Sequence, residues 1–231
     1  MKKRNTPLFL ALLILIGIQI CYSKSISLNP PIKKSISITA PTITATGNTA
    51  YCPLTQTKIA TTVTITHDVA DPTTESVYVQ IAGGYVIGTD QLLLTNTASH
   101  PTITSSWNSV EGKLTLSSPT TGTQVNYSEF EAAIKDVAYY NSSPNPSGTR
   151  NFSISLGNGQ ANYLPRNKHF YRYISKPGIR WTEAKVEAEF PSNYYYGLHG
   201  YLATLTAADE AQLAGKQASG TGWIGGTDED R

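Results

Sequence analysis

The sequence predicts a mainly β fold: an antiparallel β-sandwich with one short helix, followed by an incomplete α+β domain. Three observations support this prediction. Between residues 59 and 156, apolar residues alternate with threonine and serine in short segments, as half-buried strands require. Turn-forming Gly, Pro, Asn and Asp residues separate these segments. After residue 169, two short helical patterns are set among aromatic segments.

The composition favours an extracellular module. The 231 residues allow one large or two modest domains, and only 15% of them are charged. Removing Lys2, Lys3 and Arg4, which lie in a leader segment, leaves 15 basic residues against 16 acidic ones. Because no basic patch remains, we expect no nucleic-acid partner.

Residues 1–23 have the pattern of a secretory signal peptide. The basic start is followed by an apolar run at residues 8–20 and by small residues around Ser23. As a helix this run spans roughly 20 Å, too short for a stable membrane anchor. A lipoprotein signal at Cys21 is the less favoured alternative, because Ile20 is not small. We therefore expect a secreted or cell-surface protein that meets the membrane only during export.

Cleavage after Ser23 leaves Cys52 as the one cysteine of the mature chain. It could be a buried thiol, or it could pair with a cysteine beyond the C-terminus. Tyr51 and Pro53 beside it favour a structural role over a catalytic one.

Residues 24–58 form a Ser/Thr/Pro-rich lead-in, predicted to be a linker or edge strands. Residues 59–160 form the predicted sandwich. Its strands are predicted around Val63, at residues 77–81, and at Gln91–Thr95, Ile103–Trp107, Lys113–Ser117, Val137–Tyr140 and Asn151–Leu156. Ser128 and Glu131 form a capping-box signature for the one helix, whose apolar stripe is Phe130, Ala133, Ile134 and Val137.

Within this region, residues 75–157 resemble the cadherin-like repeats of large bacterial surface proteins. The segments IAGGYVIGTDQLLL, GKLTLS and YSEFEAAIKDVAYYNSSPNPSGTRNFSIS carry the resemblance. It implies a spacer or adhesive module. Calcium is common in such repeats, but the acidic residues here lack an EF-hand-like ligand spacing. We interpret Asp68, Asp71, Glu75 and Asp90 as solvated turn residues.

Residues 167–231 alternate between strand and helix patterns. A strand is predicted at His169–Ile174, followed by a helix capped by Thr182 that buries Ala184 and Ala188. A buried strand is predicted at Tyr201–Thr204. Thr206 and Asp209 cap the second helix, which has an alanine face, and a further strand is predicted at Trp223. The alanine face consists of Ala207, Ala211, Ala214 and Ala218.

The order of WTEA, GYLATLT and GWIGG resembles the first part of a C-type lectin-like domain in a bacterial form. The resemblance covers about residues 169–231 and implies an α+β fold that binds glycans or proteins. The cysteines of animal members are missing. The loop that carries the calcium and sugar ligands in sugar-binding members would follow Arg231, so calcium is expected only there. Asp228, Glu229 and Asp230 are interpreted as a solvated turn.

Tyr194, Tyr195 and Tyr196 are the candidate ligand-binding residues. Their rings could form a platform that stacks on sugar faces, or they could cap the β core. His199 beside them is predicted to be a surface residue. No nucleophile elbow, zinc motif or phosphate-binding loop is present, so no enzyme activity, catalytic residue or cofactor is predicted. The Asn-x-Ser triplets at Asn126, Asn141 and Asn151 matter only in a secretory pathway that glycosylates.

These observations predict a surface or secreted protein whose lectin-like head binds carbohydrate and whose sandwich is a spacer. The alternative is a structural adhesion module that binds other proteins and no sugar. A secreted enzyme with a downstream catalytic domain is the third and weakest hypothesis.

Overall fold

The structure is a computed structural model that describes residues 40–47, 49–157, 161–195, 197–218 and 220–226. The leader predicted at residues 1–23, Ile36 and Ile38 of the lead-in, and the acidic residues 228–230 lie outside the described residues. The described residues belong to one compact unit that begins at Ile38.

Antiparallel strands make up most of the regular structure. The strands are β1 (Thr42–Thr46), β2 (Thr57–Lys58), β3 (Thr62–Thr66), β4 (Thr73–Thr74), β5 (Ser76–Gly83), β6 (Asp90–Leu94), β7 (Thr104–Asn108), β8 (Lys113–Ser117), β9 (Val125–Asn126), β10 (Val137–Asn141), β11 (Asn151–Leu156), β12 (Asn162–Leu164) and β13 (His169–Tyr171). The α-helices are α1 (Tyr127–Lys135), α2 (Trp181–Ala188) and α3 (Ala208–Glu210), and a π-helical turn continues α3 over Ala211–Lys216.

Two larger sheets organise the region up to residue 156. One has the strand order β11-β5-β8-β7 and the other has the order β2-β10-β6. Strands β1 and β3, β4 and β9, and β12 and β13 form three two-stranded pairs. The mainly β, antiparallel prediction is therefore confirmed. The predicted strands at residues 113–117 and 151–156 match β8 and β11, and those for β6 and β7 differ by one residue.

Side-chain alternation along β5 explains how the four-stranded sheet is built. Val77, Val79 and Ile81 are fully buried on one face. Tyr78 and Gln80 lie on the opposite face, because successive side chains of a strand point to opposite sides. The first face contributes to a core that also receives Leu92 and Leu94 of β6, Leu114 and Leu116 of β8, Val137 and Tyr139 of β10, and Phe130 and Ile134 of α1.

Helix α1 closes this core. Its predicted stripe is confirmed for Phe130, Ala133 and Ile134, which are fully buried, whereas the fourth predicted member, Val137, is buried in β10 after the helix has ended. The predicted capping box is wrong. The N-cap is Asn126, and the Glu131 carboxylate instead accepts a hydrogen bond from the Ile65 backbone N–H at 2.5 Å. Glu131 therefore fastens the helix to β3, a contact that a local capping pattern cannot reveal.

The first helix after β13 begins two residues earlier than predicted. Its N-cap is Arg180, not Thr182, and the Glu183 carboxylate accepts a hydrogen bond from the Arg180 backbone N–H at 3.0 Å. Ala184 is buried as expected.

The buried face of the second helical segment is not the predicted alanine face. Glu210, Leu213 and Gln217 are the residues that are 5% exposed or less. Ala211 is exposed. Leu213 packs in a cluster with Ala82 of β5, and Gln217 donates to backbone carbonyls of the sheet, which need a donor when buried. Of the predicted alanine face, Ala214 is half-buried against this cluster.

The two strands predicted at residues 201–204 and around Trp223 are also wrong. Neither segment is a strand in the described part of the chain, and Tyr201 and Trp223 are 58% and 53% exposed. The two segments meet through a bond from the Gly225 N–H to the Ala203 carbonyl at 2.9 Å. The segment at Trp223 is also held by its side chain. The Trp223 indole N–H donates a hydrogen bond to the Ile179 carbonyl at 2.7 Å.

Cys52 is an exposed free thiol, so the prediction of a buried thiol is wrong. In the described part of the chain, no helix has the length and apolar character needed to cross a bilayer.

Candidate functional site

The β12–β13 hairpin has one buried face and one face directed outward. Leu164 and Tyr171 are buried against Ala82 of β5 and Leu213 of the π-helical turn. Tyr163 and Phe170 are register partners across the hairpin, on the opposite face. Their ring centroids are 4.8 Å apart, and Phe170 is 39% exposed. The hairpin therefore presents a pair of aromatic rings at the surface.

A tight loop carries two of the predicted tyrosines and brings one of them, Tyr195, to this pair. Tyr195 and Leu198 exchange backbone hydrogen bonds of 3.1 and 2.9 Å around Gly197, whose φ of 79° favours glycine. The Tyr195 ring lies 5.1 Å from Phe170. The Tyr194 ring stacks on His199 at 4.2 Å with an interplanar angle of 26°.

We call Tyr163, Phe170, Tyr194, Tyr195 and His199 the aromatic surface. Two of the three predicted residues, Tyr194 and Tyr195, contribute half-buried rings to it, and Tyr196 lies outside the described residues. His199 is exposed, as predicted, and shields one face of Tyr194. Sequence reasoning missed Tyr163 and Phe170. The signal for them was available, because both are outward positions of a short hairpin and both are aromatic.

The carboxylate of Glu210 supports the hairpin from below. It accepts hydrogen bonds from the Tyr171 hydroxyl at 2.9 Å and the Asn167 amide at 2.8 Å, and from the Thr206 backbone N–H at 2.8 Å. These bonds, those from Thr206 first, lower the pKa of Glu210 to about 2. Burial raises the pKa of the Tyr171 hydroxyl. Glu210 is therefore an anion at neutral pH that fixes the turn beneath the aromatic surface.

Two glutamines attach this region to the four-stranded sheet. The Gln217 amide donates to the backbone carbonyls of Ile81 at 3.0 Å and Glu111 at 2.6 Å. The Gln212 amide donates to the Tyr85 carbonyl at 2.8 Å. Gln217 is 1% exposed, so these bonds form away from water, where the carbonyls would otherwise lack partners.

A second polar contact joins the sheet to β12. The Gln80 amide donates to the Asn162 side-chain oxygen at 3.0 Å. Lys113 pairs with Glu111 at 2.8 Å and donates to the Ala161 carbonyl at 3.4 Å. The aromatic surface is thus carried by a hairpin fixed to the sheet by both polar and apolar contacts.

The interpretation of Asp90 as a solvated turn residue is wrong. Its carboxylate is fully buried and pairs with Arg150, whose Nε lies 2.6 Å away. It also accepts hydrogen bonds from the Tyr139 hydroxyl at 2.6 Å, from the Asn141 amide, and from the Val86 N–H at 2.8 Å. Burial raises the pKa of Tyr139. Asp90 is therefore the centre of a structural network.

Among the described residues, no three His, Cys, Asp or Glu side chains come together as a metal-binding group. A shallow groove of about 290 Å³ lies between residues 99–103 and α1. It falls at the lower limit of small-molecule sites. The aromatic surface is consequently the strongest candidate for a binding site in the described part of the chain.

The fold and this surface define a mainly antiparallel β protein with aromatic rings on the outer face of its β12–β13 hairpin. Comparison with known proteins adds one relative. The chain is similar to halomucin of Haloquadratum walsbyi (strain DSM 16790 / HBSQ001), with 29% identity over 157 residues. This alignment covers 66% of the chain but 2% of halomucin. No protein-family model matches the chain, and no solved structure matches it.

Proposed function

We propose that the protein is an exported surface protein that binds carbohydrate through the aromatic surface, with the β-rich region before it acting as a spacer. The observation that carries this proposal is the set of adjacent rings on the β12–β13 hairpin. The centroid of the Phe170 ring lies 4.8 Å from that of Tyr163 and 5.1 Å from that of Tyr195, and the Phe170 residue is 39% exposed.

The chemistry of these residues suits a neutral polyhydroxylated ligand. A pyranose ring has an apolar face of C–H groups that packs on an aromatic ring, and its hydroxyls need hydrogen-bond partners. Tyrosine provides both kinds of contact. The exposed His199 ring, stacked on Tyr194, adds ring nitrogens that can bond to a hydroxyl.

The similarity to halomucin supports the coarser part of the proposal, an extracellular or cell-surface protein. The cadherin-like sandwich and the C-type lectin-like head belong to its finer part. They rest on the sequence motifs WTEA, GYLATLT and GWIGG and on the cadherin-like segments, while the strands expected at residues 201–204 and around Trp223 are not formed in the described residues.

A second candidate function is adhesion to another protein without sugar binding. The specific observation in its favour is the large apolar side chains that remain exposed after β13. These include Phe190 at 55%, Leu198 at 54%, Trp223 at 53% and Ile224 at 46%. Exposed apolar side chains that form a contiguous patch are typical of a protein contact surface.

A glycan array probed with the full chain separates the two functions. We expect chelator-insensitive binding to a subset of neutral glycans. Phe170→Ala and Tyr195→Ala should each weaken that binding by about fivefold or more, since a stacking ring contributes about 1 kcal/mol. Phe190→Ala is the matched control, an equally large substitution outside the aromatic surface, and it should leave glycan binding unchanged.

Three other results would each contradict binding of glycans at the aromatic surface or support the second function. Binding that a chelator abolishes would assign sugar recognition to a calcium-dependent site and contradict the role of the aromatic surface. Silence across the array would contradict carbohydrate binding altogether. A protein partner whose binding falls in Phe190→Ala but not in Phe170→Ala would establish the adhesion function.

A further inference from the structure

Three Asn-x-Ser triplets, at Asn126, Asn141 and Asn151, match the acceptor pattern for N-glycosylation. A glycosyl transferase must reach two groups in each triplet: the Asn amide and the hydroxyl two residues later. The fold treats the three triplets differently. We propose that the folded protein accepts an N-linked glycan at Asn126 and at neither of the other two positions.

In the triplet at Asn141, the amide of the asparagine is buried and cannot be reached by a transferase. Asn141 is 2% exposed, and its amide nitrogen donates to the buried carboxylate of Asp90. Its side-chain oxygen accepts a hydrogen bond from the Ser143 N–H at 2.7 Å. A sugar on this nitrogen would have to displace Asp90 or Tyr139, so a glycan here is incompatible with the fold.

The triplet at Asn151 is inaccessible at its second group, the hydroxyl of Ser153. Asn151 itself is exposed at the start of β11. Ser153, however, is 5% exposed and pairs with Gln80 of β5 in the ladder. Because the transferase recognises the hydroxyl as well as the amide, β11 would have to separate from the sheet before this triplet could be used.

The triplet at Asn126 presents both side-chain groups. Asn126 pairs through its backbone with Thr73 in the two-residue β4–β9 ladder, and this pairing leaves the side chain exposed. Asn126 and Ser128 are exposed, whereas Tyr127 between them is 3% exposed and fixed by its N–H bond to the Pro72 carbonyl at 3.0 Å. The Asn126 amide makes one long surface contact, a 3.4 Å bond to Glu129. Such an exposed bond is inexpensive to break. The exposed loop at residues 119–124 leaves space for a large group beside the amide.

The reaction joins Asn126 Nδ2 to the C1 carbon of a sugar. The C1–O bond to the phosphate of a lipid-linked oligosaccharide breaks, and the phosphate leaves with the electron pair. The amide loses one proton. The co-reactant is the lipid-phosphate-linked glycan that exported proteins meet outside the cytoplasm. The bulky product is tolerated because it forms at the surface.

The test compares the folded full chain with three synthetic peptides, one for each triplet. The folded chain and each of the three peptides are incubated separately with a lipid-linked oligosaccharide and a transferase that recognises Asn-x-Ser/Thr. Products are identified by intact mass and by peptide mapping. We expect the peptides of all three triplets to be modified. The folded chain should gain a single glycan, at Asn126.

Four variants sharpen the result. Asn126→Gln and Ser128→Ala should abolish the mass increase, and Ser128→Thr should retain it. Asn151→Gln is the matched control and should be modified like the parent chain. Circular dichroism checks that each variant is folded. Absence of a glycan on the folded chain, or a glycan mapped to Asn141 or Asn151, would overturn the proposal.

Discussion

Replacing Arg150 by Met tests whether the buried pair with Asp90 stabilises the fold. Met keeps most of the apolar stem and removes the charge. The Arg150 and Asp90 side chains are 5% and 0% exposed, and the guanidinium donates to both carboxylate oxygens, at 2.6 and 3.2 Å. Removing one partner of such a pair typically costs about 3–5 kcal/mol, because the remaining charge stays buried without its counterion. That is a large part of a typical domain's stability of about 5–15 kcal/mol.

Urea unfolding at neutral pH, followed by tryptophan fluorescence, measures this loss. The double variant Asp90→Asn/Arg150→Met removes both charges. It should recover part of the stability lost in Arg150→Met, since the Asn side chain can still bond to Tyr139 and Asn141. A loss below about 1 kcal/mol in the single variant, or a double variant that is less stable than the single one, would refute this account of the pair.

Three further predictions concern pH, packing and the free thiol. Hydrogen bonds from Lys58 and then His100 lower the pKa of Asp136 to about 2, so the unfolded chain binds a proton more readily than the folded one. Stability should therefore fall as the pH drops from about 5 to 2, and Asp136→Asn should flatten this part of the curve measured by urea unfolding. Leu213→Ala should lower the free energy of unfolding by about 2–5 kcal/mol, because Leu213 is fully buried beneath the β12–β13 hairpin. It should also increase amide hydrogen exchange in that hairpin. Unchanged exchange there would contradict the role of Leu213 as an anchor of the hairpin. Cys52→Ser should change stability by less than about 0.5 kcal/mol in thermal unfolding, since the thiol is exposed, and a larger loss would indicate a contact that the structure lacks.

The sequence predicted the features that depend on local alternation. The pattern of Val77, Val79 and Ile81 defines a strand with one buried face wherever the strand pairs, and the stripe through Phe130 and Ile134 defines a helix. Both are in the core. Boundaries shifted by a residue because the ladder partners, and not the strand itself, decide where pairing stops.

The missed contacts that organise the core and the sheet surface join residues distant along the chain. Arg150 and Asp90 are 60 positions apart, and Gln217 reaches a carbonyl 136 positions earlier. Nothing near Asp90 distinguishes it from a turn residue, because its burial is created by β10 and by Arg150. The helix after Thr206 was assigned the wrong face for the same reason. Its surroundings are the outer face of β5, which offers both an apolar contact at Ala82 and carbonyls that need donors.

The aromatic surface depends both on local alternation in a strand and on a contact between residues distant along the chain. Alternation alone requires that, when Leu164 and Tyr171 are buried, Tyr163 and Phe170 face outward. If the hairpin only covered the sheet, polar residues at those two positions would avoid the cost of exposing apolar area to water. The chain instead places aromatic rings there and adds Tyr195 from a separate loop, 25 positions after Phe170 and 5.1 Å from it. Rings from separate segments that converge at the surface, on a hairpin fixed by Leu213 and Glu210, form a preorganised face, and this is the physical basis on which we propose binding there.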